Sequence, residues 1–380
     1  MNVSTAFPQR PQRIGVLRAL YLGDLIVAVP ALRALRARFP EAEITLLGLP
    51  WAQTFVQRFH QYLDRLVIFP GYPGLKEGGG SPDDMTRFIA EQRAYSYDLL
   101  IQMHGSGKTS NALLGELKGK YAVGYYEAEK TNDLQLALPY PQGWHEILRN
   151  LQLVEYLGST ALDPQLEFPL DTADHAEAHA LLASIDDGSH VKDGLPGENG
   201  PLIGIHPGSR SPARRWPVAY FAALANELVT RRGARIVLTG SEDERETVRG
   251  VMERLSVPAL DLSGRTSLGG LAALIKKLDL FISNDTGPAH IACAVDCPSV
   301  TVFGPAEYER WAPLDHVRHP TVRRPVTCSP CVYWECPIDH RCLRWLTPDM
   351  IVPIVERLLY ETSQNPDMAY TRKLSELPRA

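Results

Sequence analysis

The stretch Leu278–Pro305, LDLFISNDTGPAHIACAVDCPSVTVFGP, restricts the folds open to this chain more than any other. Leu278 to Ser283 is rich in Leu, Ile and Phe and stops abruptly at polar residues, the pattern of a strand buried in a parallel sheet. Asn284, Asp285, Thr286, Gly287 and Pro288 follow as turn chemistry. His290 to Val295 then reads as a short helix and Ser299 to Phe303 as the next strand, which makes a βαβ unit. In such units ligands bind outside the carboxyl ends of the strands, and the helix N-terminus offers N–H groups to an anion. Gly287 permits close backbone approach, and Pro288 suits a first helical turn. Asp285 becomes a carboxylate beside an anion site, suited to sugar hydroxyls rather than to phosphate, which it repels. The other reading is an ordinary capped helix with Asp285 or Thr286 as N-cap.

Upstream, the same alternation recurs. Arg13 to Leu20 predicts a strand, Tyr21 to Phe39 a turn at Gly23-Asp24 followed by a helix, and Ile44 to Leu49 a second strand. Asp24 is either the N-cap of that helix or a carboxylate kept ionised by the helix dipole and suited to act as a general base. Residues 70–84 form a Pro/Gly-rich loop with little to bury. Tyr97 to Met103 predicts a strand leading into His104-Gly-Ser-Gly-Lys-Thr-Ser110, which is half a phosphate-binding loop. Gln102 stands where the full pattern needs glycine, so an ATPase is excluded. Lys108, at the start of a helix, remains available to an anionic group. Asp186 to Gly200 is polar and glycine-rich and is the best linker in the chain.

A second α/β series follows: strands at Leu202–His206 and Ala234–Gly240, helices at Val218–Arg232 and Gly269–Lys277, and then the opening stretch. Two such series predict two Rossmann-like domains facing across a cleft. The loop 207–217 carries Arg210, Arg214 and Arg215 after Gly208 and Ser209. Guanidinium groups at a strand mouth suit phosphate, because they bind oxygens bidentately and stay charged; a basic surface loop is the alternative. Glu242 and Glu244 follow another strand end, where an acid takes ribose hydroxyls in dinucleotide folds. No G-x-G-x-x-G stands at a first strand–helix turn, which argues against a dehydrogenase.

Composition excludes other classes. The 380 residues suffice for two cores, and a net charge of −5 gives no positive field for nucleic acid. With 44% hydrophobic and 22% charged residues, the chain reads as globular, and no apolar run is long enough to span a bilayer. Residues 1–13 lack the apolar core of a secretory signal, and six cysteines without export signals suggest a reducing cytoplasm. Cys328, Cys331, Cys336 and Cys342 have the spacing C-x2-C-x4-C-x5-C, which fits either a structural zinc site or a compact loop of reduced thiols.

With these residues in view, the chain resembles glycosyltransferase family 9, the ADP-heptose:lipopolysaccharide heptosyltransferases. The resemblance runs from about Arg13 to Leu359 and rests on LGDLIVAVPALRALR (22–36), HPGSRSPARRWP (206–217), LTGSEDE (238–244), GRTSLGGLAALI (264–275) and NDTGPAHIACAV (284–295). It implies the GT-B fold, with two Rossmann-like domains facing across a central cleft. The expected divisions are an acceptor-side domain at 1–185, a linker at 186–200, a nucleotide-sugar domain at 201–346, and a terminal helix and tail at 347–380.

The resemblance also implies transfer of a heptose or similar sugar, with inversion, from an ADP-sugar to a lipid-anchored saccharide at the inner membrane surface. Asp24 matches the family's general base. Ser209 and Arg214 match its phosphate positions, although the family usually carries lysine where Arg214 stands. Glu244 matches the ribose-binding acid, and Thr266 lies where backbone groups meet adenine. Asp285, Thr286, Gly287, Pro288 and Ala289 match the loop for sugar hydroxyls and diphosphate, and Lys108 a basic acceptor-side position. No catalytic metal or other cofactor is implied, and the location is cytoplasmic, peripheral to the membrane. The competing functions are a sugar-nucleotide epimerase or hydrolase of the same fold, and a non-catalytic sugar-nucleotide-binding protein.

Overall fold

A computed structural model of the chain describes residues 10–127, 134–186 and 200–364. The chain forms two compact units that divide between Gln165 and Leu166. In the first unit the strands are β1 (Arg13–Leu17), β2 (Glu43–Gly48), β3 (Arg65–Ile68), β4 (Leu99–Gln102), β5 (Tyr121–Tyr126) and β6 (Leu136–Pro139). In the second they are β7 (Leu202–His206), β8 (Arg235–Leu238), β9 (Ala259–Asp261), β10 (Leu280–Asn284), β11 (Ser299–Phe303) and β12 (Thr321–Arg323). Each unit has one six-stranded sheet, in the orders β3-β2-β1-β4-β5-β6 and β12-β11-β10-β7-β8-β9. All pairings are parallel.

Counted from the first strand of each unit, both sheets follow the order 3-2-1-4-5-6, the doubly wound arrangement of dinucleotide-binding folds. Crossovers run in opposite directions on either side of the first strand. Adjacent loops therefore diverge and leave a crevice at the carboxyl ends of β1 and β4, and again at those of β7 and β10. Strands β4, β7, β10 and β11 are buried along their whole length. This explains why they read in the sequence as unbroken apolar runs rather than as alternation. Phe221, Leu224 and Leu228 of the helix Val218–Arg232 pack with Ile203, Ile236, Leu280 and Val300 to make the second unit's core. No helix among the described residues is long and apolar enough to cross a membrane.

Several elements differ from expectation. The helix predicted over Tyr21–Phe39 is two helices, Leu22–Ile26 and Val29–Arg38, with Pro30 in the first turn of the second. The loop predicted at 70–84 ends early. Ser81 caps a helix at Pro82–Tyr95 by accepting from the Asp84 backbone N–H at 3.2 Å, while the Asp84 carboxylate accepts from the Ser81 N–H at 2.9 Å. The helix Gly287–Ala294 starts three residues before the predicted His290, because Pro288 fits its first turn.

The domain boundary also moves. The helix Thr172–Asp186, expected to close the first domain, belongs to the second unit. Its Glu177 accepts from the N–H and hydroxyl of Ser267, at 2.7 and 2.6 Å, at the start of the helix Leu268–Lys276. Residues 187–199 of the expected linker, and the tail beyond 364, lie outside the described residues.

His319, 4% exposed, shares a 2.9 Å hydrogen bond with Ser299 Oγ at the start of β11. Burial pushes its imidazole down to about 4 from 6.5; Arg318 acts in the same direction and Asp315 against it. The unfolded chain therefore binds the proton first, and the stability contributed by neutral His319 is complete above pH about 6.5 and lost as pH falls toward about 4. At about 1.4 kcal/mol per unit, the loss is about 3 kcal/mol. Denaturant melts across this interval should show the slope, and His319→Gln should flatten it. An unchanged slope in the variant would assign the titration to other groups.

Candidate active site

The site in the second unit is built around one amide. Asn284, the last residue of β10, is completely buried. Its Oδ1 accepts from the Trp216 backbone N–H at 2.9 Å, and its Nδ2 donates to the carbonyls of Pro207 (2.8 Å) and Gly208 (3.1 Å). Both ends of the loop leaving β7 are thereby fixed to the end of the neighbouring strand. Trp216 adds a second anchor, with its indole N–H donating to the Leu346 carbonyl at 2.8 Å. Between the anchors, Pro212–Arg214 makes a single 3-10 turn that presents Arg214.

Arg214 Nη1 stands 3.2 Å from Asp285 Oδ2. The carboxylate is 5% exposed and the guanidinium 40%, so a buried anion faces a cation that retains access to solvent. A buried carboxylate needs such a counter-charge. The planar arginine has further N–H groups for a second anion. Asp285 is therefore not the helix cap. The N-cap is Thr286, in extended conformation and without a side-chain capping bond, and Gly287, Pro288 and Ala289 form the first turn of Gly287–Ala294.

The second cluster surrounds Gly208. A Cβ on this glycine would lie 2.2 Å from Cδ of Glu244, so only glycine lets that carboxyl group lie against the backbone here. Glu244 Oε2 accepts from the Ser241 N–H at 2.8 Å and stands 3.4 Å from His206 Nε2. Burial drives the His206 pKa below its ordinary value and Glu244 opposes this; His206 Nδ1 lies 3.1 Å from Thr239 Oγ1. The other acid of the motif, Glu242, is 71% exposed and pairs with Arg245. Ser209 is buried beside Gly208, its carbonyl accepting from Arg215 Nε at 2.7 Å. Thr266 is half-buried after β9, in the segment tied to the loop after β8 by the Gly264 N–H to Gly240 carbonyl bond at 2.8 Å.

In the first unit, Asp24 is not an N-cap either. It is the third residue of Leu22–Ile26, half-buried, with Tyr21 as N-cap and its carboxylate 3.3 Å from the Tyr21 N–H. Sequence reading missed its support, Arg18, which is 1% exposed. The Arg18 guanidinium donates to the carbonyls of Asp24 (2.7 Å) and Met103, to Asn150 Oδ1 (3.2 Å) and to Glu146 (3.1 Å). Glu146 also pairs with Arg149. A charged residue inside the otherwise apolar run IGVLRAL was the available signal. Lys108 is exposed in the loop between β4 and the helix Ser110–Leu117, and thus follows the strand next to β1.

The four cysteines of the 328–342 loop line one pocket together with Ala213, Pro305 and His340. Burial pushes the Cys342 thiol up to about 11, and the neighbouring Cys331, Cys336 and Cys328 act in the same direction. Among the described residues, no three His, Cys, Asp or Glu side chains form a group that could hold a metal ion. Of the two readings of the spacing, a structural zinc or reduced thiols, the zinc has no assembled ligand set among the described residues.

Two doubly wound units, with carboxylates and an arginine at the carboxyl ends of their strands, give the architecture of GT-B proteins. Residues 85–341, more than half of the chain, match the model of glycosyltransferase family 9 (heptosyltransferase), and the chain belongs to that family. It is 27% identical over 342 residues to lipooligosaccharide heptosyltransferase 2 of Campylobacter jejuni, covering 89% of this chain and 96% of the relative. A family 9 glycosyltransferase from Veillonella parvula has a similar structure, with a TM-score of 0.73 at 23% identity over 92% of this chain and 98% of that one. The ADP-heptose lps heptosyltransferase II of E. coli superposes with a TM-score of 0.68 at 21% identity, over 92% and 99% of the two chains.

Proposed function

We propose that this chain transfers a heptose, or a closely similar sugar, from an ADP-linked donor to a saccharide of a lipopolysaccharide core, with inversion at the anomeric carbon. The observation that carries the reading is the pair Arg214–Asp285 at the crevice end of β7 and β10: a cation for diphosphate beside a carboxylate for sugar hydroxyls. Membership of family 9 and the heptosyltransferase names of the relatives supply the sugar and the acceptor class.

In this scheme the second unit holds the donor. Glu244, set against Gly208, takes the ribose hydroxyls, and backbone groups at Thr266 meet adenine. Ser209, Arg214 and the helix start at Thr286–Ala289 receive the diphosphate, and Asp285 grips sugar hydroxyls. The first unit takes the acceptor, with Lys108 on its anionic groups. Asp24 removes the proton from the attacking hydroxyl as its oxygen bonds to the anomeric carbon, and the bond from that carbon to the diphosphate oxygen breaks on the opposite face. Negative charge grows on the departing ADP, where the guanidinium and oriented N–H groups stabilise it most. A cytoplasmic location, peripheral to the membrane that carries a lipid-anchored acceptor, fits this chemistry.

Asp24→Asn should keep ADP affinity while lowering turnover by about two to four orders of magnitude, the scale of losing a general base. Arg214→Ala should weaken ADP binding as well, because the phosphate charge is already present in the ground state. Calorimetry with ADP and steady-state transfer kinetics separate the two. An Asp24→Asn variant of full activity would leave Asp24 a structural role only, and undiminished ADP affinity in Arg214→Ala would move the phosphate site elsewhere.

For the cysteine loop, the spacing and the shared pocket support a structural zinc, whereas the placement of the side chains does not. On that placement, protein purified without added metal should contain far less than the roughly one equivalent that a closed four-thiolate site holds. Elemental analysis giving about one equivalent, with stability lost on chelation, would establish the zinc instead.

A further inference from the structure

The turn that carries Arg214 is too short to satisfy its own backbone. Pro212–Arg214 has two internal bonds, from the Arg214 N–H to the Ser211 carbonyl at 3.0 Å and from the Arg215 N–H to the Pro212 carbonyl at 3.1 Å. These leave the N–H and the carbonyl of Ala213, which is 2% exposed. Buried backbone groups without partners cost free energy on the scale of a lost hydrogen bond. Both partners come from the cysteine loop. The Trp334 carbonyl accepts from the Ala213 N–H at 3.0 Å and from Ser211 Oγ at 2.9 Å. His340 Nε2 lies 2.7 Å from the Ala213 carbonyl, and since a carbonyl only accepts, that nitrogen carries the proton.

The loop is itself held firmly. The Cys331 N–H donates to the Pro305 carbonyl at 2.8 Å, and the His340 N–H to Cys336 Sγ at 3.2 Å. Two and three residues after His340, Cys342 and Leu343 enter the second unit's core. His340 takes the left-handed conformation, with φ 56°, which turns the chain from the exposed loop into that anchor. The path from core to imidazole to Ala213 carbonyl to the neighbouring Arg214 is thus short and made of fixed elements.

We propose that the cysteine-rich loop 328–342 is a splint for the phosphate-binding turn, with His340 the positioning residue that sets Arg214 for the donor diphosphate. This rests on the reading of Arg214 as a donor-phosphate ligand. The loop then contributes to donor affinity without touching the donor, and does so whether or not its thiols bind metal.

The test compares two substitutions of one residue. His340→Asn tolerates the left-handed backbone, but its amide ends about where Nδ1 lies and falls short of the Ala213 carbonyl. His340→Gln reaches about as far as Nε2 and can donate there. By calorimetry with ADP, His340→Asn should lose about tenfold in affinity, the consequence of one unmade bond to a buried carbonyl. Donor KM should rise and kcat should fall as well, because the same guanidinium stabilises the departing diphosphate. His340→Gln should recover most of the affinity, and His340→Asn added to Arg214→Ala should cause no further loss, because the splint acts through that arginine.

Unchanged ADP affinity in His340→Asn, with a loss in Arg214→Ala, would overturn the splint while leaving the phosphate site standing. So would a failure of His340→Gln to recover affinity, or an additive loss in the double variant. Unchanged affinity in Arg214→Ala alone would overturn the phosphate reading, and the splint with it.

Discussion

The side-chain amide of Asn284 is the constraint on which the candidate site of the second unit depends. A parallel sheet brings the ends of β7 and β10 side by side, but the loops that leave them are free to diverge. One buried amide, accepting from Trp216 and donating to Pro207 and Gly208, closes the loop 207–216 onto the strand end from which Asp285 follows. The Arg214–Asp285 pair and the Gly208–Glu244 contact both sit on that closed loop. Asn284 thus fixes the loop ends on either side of Arg214, and the splinting contacts to Ala213 hold the turn between them.

The first unit meets the same problem with a different residue. Its sheet has the same strand order, and the loops after β1 and β4 again emerge side by side. There Arg18 donates to the Asp24 carbonyl after β1 and to the Met103 carbonyl after β4. An arginine so deeply buried requires compensation, which Glu146 provides. In both units a buried polar side chain at the switch point ties two loops together, and the proposed site carboxylates, Asp24 and Asp285, sit directly on the tied segments. Such networks hold geometry because breaking one partner strands the others in a low-dielectric interior.

Much of this was legible in the sequence, for identifiable physical reasons. Strands buried on both faces appear as short continuous apolar runs, so Leu202–His206 was found with its observed bounds and Leu280–Asn284 with small errors at its ends. The helix at Pro82–Tyr95 was obscured because its Ser-Pro-Asp-Asp start follows a run of glycines, although that start is a capping signal. Asp24 and Asp285 each looked like an N-cap, since a carboxylate at a strand–helix turn has the same local signature in either role. What the sequence hid was long-range. Nothing local announces that Arg18 reaches Glu146, that Glu177 binds Ser267 and draws its helix into the second unit, or that His340 supports Ala213. The cysteine spacing fitted a metal or reduced thiols, and it gave no sign that the loop hydrogen-bonds the arginine turn through the Trp334 carbonyl and His340.

Product analysis tests group transfer by this family 9 enzyme most directly. Purified protein incubated with ADP-heptose and a heptose-deficient lipid A–core acceptor should release ADP and add one heptose to the acceptor in equal amounts, as read by mass spectrometry. The new linkage should have the anomeric configuration opposite to that of the donor. Release of ADP with free heptose, epimerisation of the donor, or binding without turnover, each with the acceptor mass unchanged, would contradict the account.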